Sequence, residues 1–398
     1  MDPARAHPAH GSSQDVNGHG RPPFQRHQST TRPGPWPGRH SRCGPVVAWG
    51  RGTPSHRPVG PGRRPQRPSA GRSPPLTTSP VDHDVIVVGG GPAGLAAATW
   101  LSRYRRRVAV VDGGPPRSWS TDVTHGYLGR DCVSPNELLD RARADLAAYP
   151  TATRLQCRAA SARAQGPDRF VVTTDDGDEL LARRLVLATG VTDELPPVPG
   201  MTEHYGANAF HCPTCDGYEA RGRRVVMLGW GAQVAGTSLE LLDWAAEVTV
   251  VTAGRRFEGE ERHRQALERN GIALVEEEAT ALVGPRHDLQ AVALADGRRI
   301  ACDLVFFSIA HHPQTQLARG LGCELTDEGC LQVDDCGRTS VDGVFGAGDV
   351  TPGIQLVQVA AAKGAIAGVT CALSLAGEPR AADAPAPGPD ADAEVGDN

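Results

Sequence analysis

Lysine is all but missing from this 398-residue chain, where Lys363 is the single one among 41 lysine and arginine residues. Together with abundant Arg, Ala, Gly and Pro, that scarcity reads as codon bias, so richness in arginine is no argument for a nucleic-acid partner. No stretch approaches about 18 apolar residues, which predicts no membrane-spanning helix. A secretory signal is missing as well, because no run of about seven apolar residues follows the N-terminal charges. Ten cysteines without such a leader imply a reducing compartment, the cytoplasm, in which one catalytic disulfide is expected and structural ones are not.

The net charge of -5 hides an asymmetry. Residues 1–80 hold twelve arginines, no lysine and only Asp2 and Asp15 as acids. Rich in Pro, Gly, Ser and His and poor in apolar periodicity, this segment buries too little surface to offset the entropy of ordering and reads as disordered. A targeting peptide, a basic tail, and a spacer or translated sequence ahead of the true start compete to explain it. The prolines forbid the amphipathic helix of a presequence, which favours the last. Residues 378–398, rich in Ala, Pro and Asp, read as a disordered tail. The length between them allows two domains with sizeable cores.

What is present is organised around Phe210-His211-Cys212-Pro213-Thr214-Cys215-Asp216-Gly217-Tyr218. Two thiols three residues apart close a disulfide only where the backbone turns, and a helix start provides that turn while its partial positive charge stabilises a thiolate. Half a zinc site is the competing reading, but Cys302, Cys323, Cys330 and Cys336 supply no second C-x-x-C, so no metal is expected. Cys132 and Cys157 read as small buried apolar residues. The adjacent His311 and His312 would point to opposite sides of an extended chain, which argues against a metal there too.

Two glycine turns flank the dithiol. The first follows the buried strand Asp84 to Val88 and runs Gly89-Gly90-Gly91-Pro92-Ala93-Gly94 into a helix. Gly89 makes the tight turn, Gly91 admits a pyrophosphate, and Gly94 lets helix and strand approach. A second strand, Val108 to Val111, ends in Asp112, where an acid meets a ribose hydroxyl. The second turn, Gly229-Trp230-Gly231-Ala232, follows the strand Arg224 to Leu228, but the next strand ends in Thr252. A missing acid with arginine nearby is the pattern for a 2′-phosphate, and Arg255 and Arg256 are the candidates. Elsewhere a hairpin turned by Asp175-Asp176-Gly177 precedes a separate buried strand, Arg184 to Ala188. Ser134 and Glu137 should form a capping box on a helix beginning at Pro135. Three prolines in Leu195 to Gly200 mark a stiff boundary.

From Asp84 to about Gly377 the chain resembles the low-molecular-weight thioredoxin reductase family. The first turn, Ala188-Thr189-Gly190, the C-x-x-C-Asp-Gly run and Gly346-Ala347-Gly348-Asp349 carry the resemblance. It implies an α/β fold of two Rossmann-like dinucleotide-binding domains, an FAD domain (81–195 and 311–377) split by an inserted NAD(P)-binding domain (196–310). It also implies FAD, NADPH, a homodimer, and a thioredoxin-like protein or small disulfide as partner, without nucleic acid or membrane. Gly89, Gly91, Pro92, Ala93, Gly94, Asp112, Ala188, Thr189, Gly190, Gly348, Asp349, Gln355 and Leu356 would hold FAD, with Asp349 on the ribityl chain. Gly229, Gly231, Ala232, Arg255 and Arg256 would hold NADPH. Cys215 would face the flavin, Cys212 would exchange with the partner, and Asp216 would relay a proton.

The chain departs from the family at three places. Trp230 stands where glycine is common, Ala253-Gly254-Arg255-Arg256 replaces the usual His-Arg-Arg, and Gln355-Leu356-Val357 replaces Arg-Gln. His211-Cys212-Pro213 looks more like flavin-dependent dithiol oxidases that close disulfides in small molecules without NADPH. Three activities follow: an NADPH-dependent disulfide reductase, a dithiol oxidase using oxygen, and a flavin-binding redox sensor without turnover.

Overall fold

The computed structural model describes residues 82–377, so the readings made for 1–80 and 378–398 lie outside the described residues. The first sheet grows from His83–Val88, whose core residues Val85, Ile86 and Val87 have no solvent exposure. It pairs in parallel with Val108–Val111 on one side and Glu179–Leu187 on the other. Continuous β-branched residues suit a strand covered on both faces, each buried side chain contributing about 1.5–3 kcal/mol. Ala152–Leu155 extends one edge, and Val344–Gly346 joins the far end of Glu179–Leu187.

The expected hairpin forms between Phe170–Thr174 and the first residues of Glu179–Leu187, with Gly177 at φ 92° in its turn. The separate strand expected from Arg184 does not exist. One nine-residue strand serves both the hairpin and the parallel sheet, because its pairing partner changes beyond Ala182 without a break in its own backbone. The capping box is also absent: Ser134 occupies the N-cap without a side-chain bond, and Glu137 instead pairs with Arg141 one turn on.

A second, all-parallel sheet contains Ala209–Phe210, Leu304–Phe307, Arg224–Leu228, Glu247–Val251 and Ala273–Val275, paired in that order. Beside it lies the antiparallel trio Ala279–Val283, Ala291–Leu294 and Arg299–Ala301. The chain leaves the first sheet through Val191–Asp193 and returns through His311–Pro313, and these two crossings pair antiparallel.

The last helix, Val357–Ser374, meets the length and composition of a membrane span, although Gln358, Lys363 and Thr370 interrupt its apolar run. It lies against the helix of the first glycine turn, Pro92–Arg103. A Cβ on Gly364 would fall 2.1 Å from the Ala93 carbonyl oxygen, and one on Gly368 would fall 2.6 Å from that of Ala97. Small residues let the two backbones touch.

Gly364→Ala should therefore cost about 1–3 kcal/mol in urea denaturation by forcing those backbones apart. Gly236, inside the helix Gln233–Leu241 with nothing within 4 Å of its missing Cβ, gives the opposite expectation. Gly236→Ala should stabilise by roughly 0.5–1 kcal/mol through backbone entropy.

Candidate active site

A cavity of about 590 Å³ opens at the carboxyl ends of the first sheet's parallel strands. Gly89, Gly91, Pro92, Ala93, Asp112, Ala188, Thr189, Gly190, Gly348 and Asp349 all line it. Gly89 has φ 115°, and a Cβ there would strike the Ala188 carbonyl at 2.2 Å. Gly94 lies behind the turn, where a Cβ would meet the Gly89 carbonyl at 1.8 Å, so it serves helix packing. Gly91 has nothing within 4 Å, leaving its backbone open to the cavity. A turn with free amides at a twelve-residue helix start, opening into this cavity, fits a dinucleotide pyrophosphate. Asp112 sits under Gly90 with its Oδ2 held by Arg154 at 3.0 Å and Arg143 at 3.5 Å.

Sequence reading missed the residue that joins this cavity to its surroundings. Arg117, just beyond the second strand, donates from Nε to Asp193 Oδ2 at 2.7 Å and from Nη2 to Asp193 Oδ1 at 2.5 Å. Its Nη1 donates to Gln355 Oε1 at 2.7 Å and to Asp349 Oδ2 at 3.2 Å. Burial alone would raise the Asp193 carboxyl, but the guanidinium wins and holds it below the ordinary value. Burial prevails at Asp349, which is raised although Arg117 opposes it. Leu356, expected at the cofactor, occupies the N-cap of the final helix.

Cys212 and Cys215 are disulfide-bonded across the start of the short helix Pro213–Asp216. Pro213 sits at its first position, where a missing N–H costs nothing, and the Cys215 amide points at Cys212 Sγ at 3.1 Å. Desolvation, with Glu219 nearby, pushes the Asp216 carboxyl up to about 7. His211, next to Cys212, lies with Nδ1 3.3 Å from Tyr205 Oη, and that hydroxyl donates to Asp193 Oδ2 at 3.3 Å. A polar chain thus runs from beside the dithiol through Tyr205, Asp193 and Arg117 to Asp349 in the cavity wall.

The second turn is arranged differently. Gly229 has φ 157°, and a Cβ there would meet the Ser308 carbonyl at 2.6 Å. Ala232 is the N-cap of the following helix. The Arg255 guanidinium lies 4.1 Å from the Trp230 ring centroid, and the Gln233 amide folds to within 2.3 Å of where a Gly231 Cβ would be. Arg256 is exposed and acts on the Glu276 charge.

Cys132 and Cys157 correct the expectation of burial: Cys132 is exposed at φ 57° on an irregular loop, and Cys157 is half-buried. Cys132 and Asp131 gather around His125 within 4.8 Å, but the cluster is already hydrogen-bonded to itself. His312 reaches Glu194 at 3.3 Å rather than its neighbour.

A family model described as pyridine nucleotide-disulphide oxidoreductase matches residues 83–364. The chain belongs to that family. A thioredoxin reductase of Mycolicibacterium smegmatis is 30% identical over 316 residues, covering 76% of this chain and 98% of the relative. Thioredoxin reductase sirT of Leptosphaeria maculans is 30% identical over 312 residues, covering 74% and 94%. The crystal structure of HlmI superposes with a TM-score of 0.69 at 34% identity, covering 73% of this chain and 92% of that one. The protein is an α/β oxidoreductase of the thioredoxin reductase type.

Asp216 gives a pH test. A carboxyl raised from 3.8 to about 7 contributes stability that is present in full below its unfolded value and is lost as pH rises through the folded one. Asp216→Asn removes the buried charge, so its Tm should exceed that of the parent at pH 8 by about 2 °C or more, with the gap closing toward pH 4. A gap that instead widens on acidification would contradict the assignment.

Proposed function

We propose that the protein is a flavin-dependent reductase that passes electron pairs from NADPH to the Cys212–Cys215 disulfide and on to a thioredoxin-like protein or small disulfide. The observation carrying this reading is the polar chain from His211, beside the dithiol, to Asp349 at the nucleotide cavity. Bound in the cavity, FAD supplies two-electron transfer, with NADPH as the source of the electrons. The backbone of Gly89 to Ala93 would hold the pyrophosphate, and Asp349 a hydroxyl of the connecting chain. Cys215 would face the isoalloxazine and Cys212 the partner. Once reduced, Cys212 attacks an outside disulfide as thiolate, forming a mixed disulfide that Cys215 resolves. Asp216, raised into the neutral range, holds and returns the proton these thiols exchange.

A specific observation favours a second reading. The Arg255 guanidinium lies on the Trp230 face and the Gln233 amide folds over Gly231, so one of the two arginines and one of the glycines expected at NADPH are already occupied. The same parts then work in reverse, Cys212 and Cys215 taking electrons from a small dithiol and oxygen removing them. Either enzyme would act in a reducing cytoplasm. The homodimer is supported by Ile366 and Leu373, exposed two helical turns apart on the final helix.

Anaerobic addition of NADPH to FAD-loaded protein should bleach the flavin absorbance, with about two equivalents needed to reduce both the flavin and the Cys212–Cys215 disulfide. Bleaching by a dithiol but by neither NADPH nor NADH would replace the reductase with the oxidase. Cys212→Ser and Cys215→Ser should each lower turnover on the order of 10³-fold, with both still binding FAD.

A further inference from the structure

The irregular segment between the strand Val108–Val111 and the helix Pro135–Ala147 holds side chains that the redox chemistry leaves unused. His125 Nδ1 lies 3.7 Å from Cys132 Sγ and 4.0 Å from Asp131 Oδ1, and Cys132 Sγ lies 3.8 Å from Asp131 Oδ2. Neighbours on an extended chain point to opposite sides, but Cys132 stands at φ 57°, and that turn brings its sulfur round to the Asp131 carboxylate. An imidazole nitrogen, a thiol and a carboxylate thus face one another in a triangle.

The size of that triangle fits a metal ion. Bonds of about 2.0–2.3 Å to nitrogen, oxygen and sulfur at tetrahedral angles hold the ligand atoms about 3.4–3.6 Å apart. The observed separations are only slightly longer, and Asp131 and Cys132 are exposed side chains with room to close them. At present the Cys132 thiol donates its proton to Asp131 Oδ2. A dication takes the place of that proton and joins all three groups.

Two groups outside the triangle orient it. The Gly126 amide donates to Asp131 Oδ1 at 2.7 Å, and Glu219 Oε1 lies 3.5 Å from His125 Nε2. A carboxylate that accepts from Nε2–H leaves the imidazole lone pair on Nδ1, the side of Cys132 and Asp131, which is the arrangement found behind metal-bound histidines. Independently, Glu219 Oε2 is buried without a hydrogen-bond partner. A carboxylate in that state is short of positive charge, and a cation across the ring supplies it. Sulfur and nitrogen beside one carboxylate suit zinc, whereas magnesium and calcium take oxygen ligands.

We propose that His125 Nδ1, Asp131 and Cys132 Sγ form a zinc(II) site, with Glu219 as the positioning residue behind His125 and water in the fourth place. Binding expels the Cys132 proton and changes no oxidation state. Glu219 lies in the turn Gly217–Ala220 directly after Cys215 and Asp216, so the ion ties the loop to the segment that carries the dithiol. The site holds for either reading of the activity.

The test uses full-length, FAD-loaded protein kept anaerobic with the Cys212–Cys215 disulfide closed, so that the redox pair cannot bind metal. Zinc chloride titrated in competition with a chromophoric chelator should show about one equivalent more in the unsubstituted chain than in His125→Asn or Cys132→Ser, with flavin content reporting that each variant is folded. In the unsubstituted chain, iodoacetamide labelling read by peptide mass should find Cys132 protected by zinc, while Cys157 and Cys336 react as before. Glu219→Gln should keep the site and weaken it by about 10–100-fold, and an unchanged affinity would overturn the positioning role. Equal zinc uptake by the unsubstituted chain and both ligand variants, or labelling of Cys132 that zinc does not slow, would mean adventitious binding only and overturn the proposal.

Discussion

One guanidinium ties together three parts of the chain that are far apart in sequence. Arg117 binds both oxygens of Asp193 on the outgoing crossing, Asp349 in the last glycine turn, and Gln355 at the mouth of the final helix. Only 18% of the Arg117 side chain and 7% of the Asp193 side chain are exposed, so removing either partner would strand a poorly solvated charge. Breaking such a pair costs about 3–5 kcal/mol, several times the worth of a surface ion pair. The geometry of cavity and crossing is therefore coupled, and Tyr205 and His211 inherit that coupling through the Asp193 oxygen.

The parts of this site that were legible in sequence are local. Strand, glycine turn and helix are contiguous from Asp84 to Gly94, and Gly89 and Gly94 each show a backbone approach that no side chain tolerates. The C-x-x-C needed only Pro213 and three residues of spacing to be read as a turn. Arg117 was illegible because its partners lie 76, 232 and 238 residues away, and nothing in Pro115-Pro116-Arg117 announces them. The single strand from Glu179 to Leu187 was missed for a related reason: its two halves have different neighbours, and composition reports the neighbours rather than the backbone. Cys132 defeated a rule about averages, since a free cysteine is usually buried but this one stands exposed beside Asp131 and His125.

The two glycine turns show how far one pattern can drift. At the first, Gly91 leaves the backbone open to the cavity. At the second, an indole occupies the middle position and a cation covers it. Such a stack is worth about 0.5–2 kcal/mol, so a nucleotide needing Arg255 must first separate the pair. Membership of the family does not by itself choose the electron donor.

The contact of Gly364 and Gly368 with Ala93 and Ala97 also sets an order of events during synthesis. The helix beside the first glycine turn emerges early, but the helix it packs on is made some 260 residues later and the strand Val344–Gly346 only shortly before that helix. The strands of the second sheet, by contrast, all lie between Ala209 and Phe307 and are complete while the first sheet still lacks a strand. On the ribosome the inserted sheet can close first, the outer one waits with an uncovered apolar face, and the nucleotide cavity becomes whole only as the C-terminal helix docks.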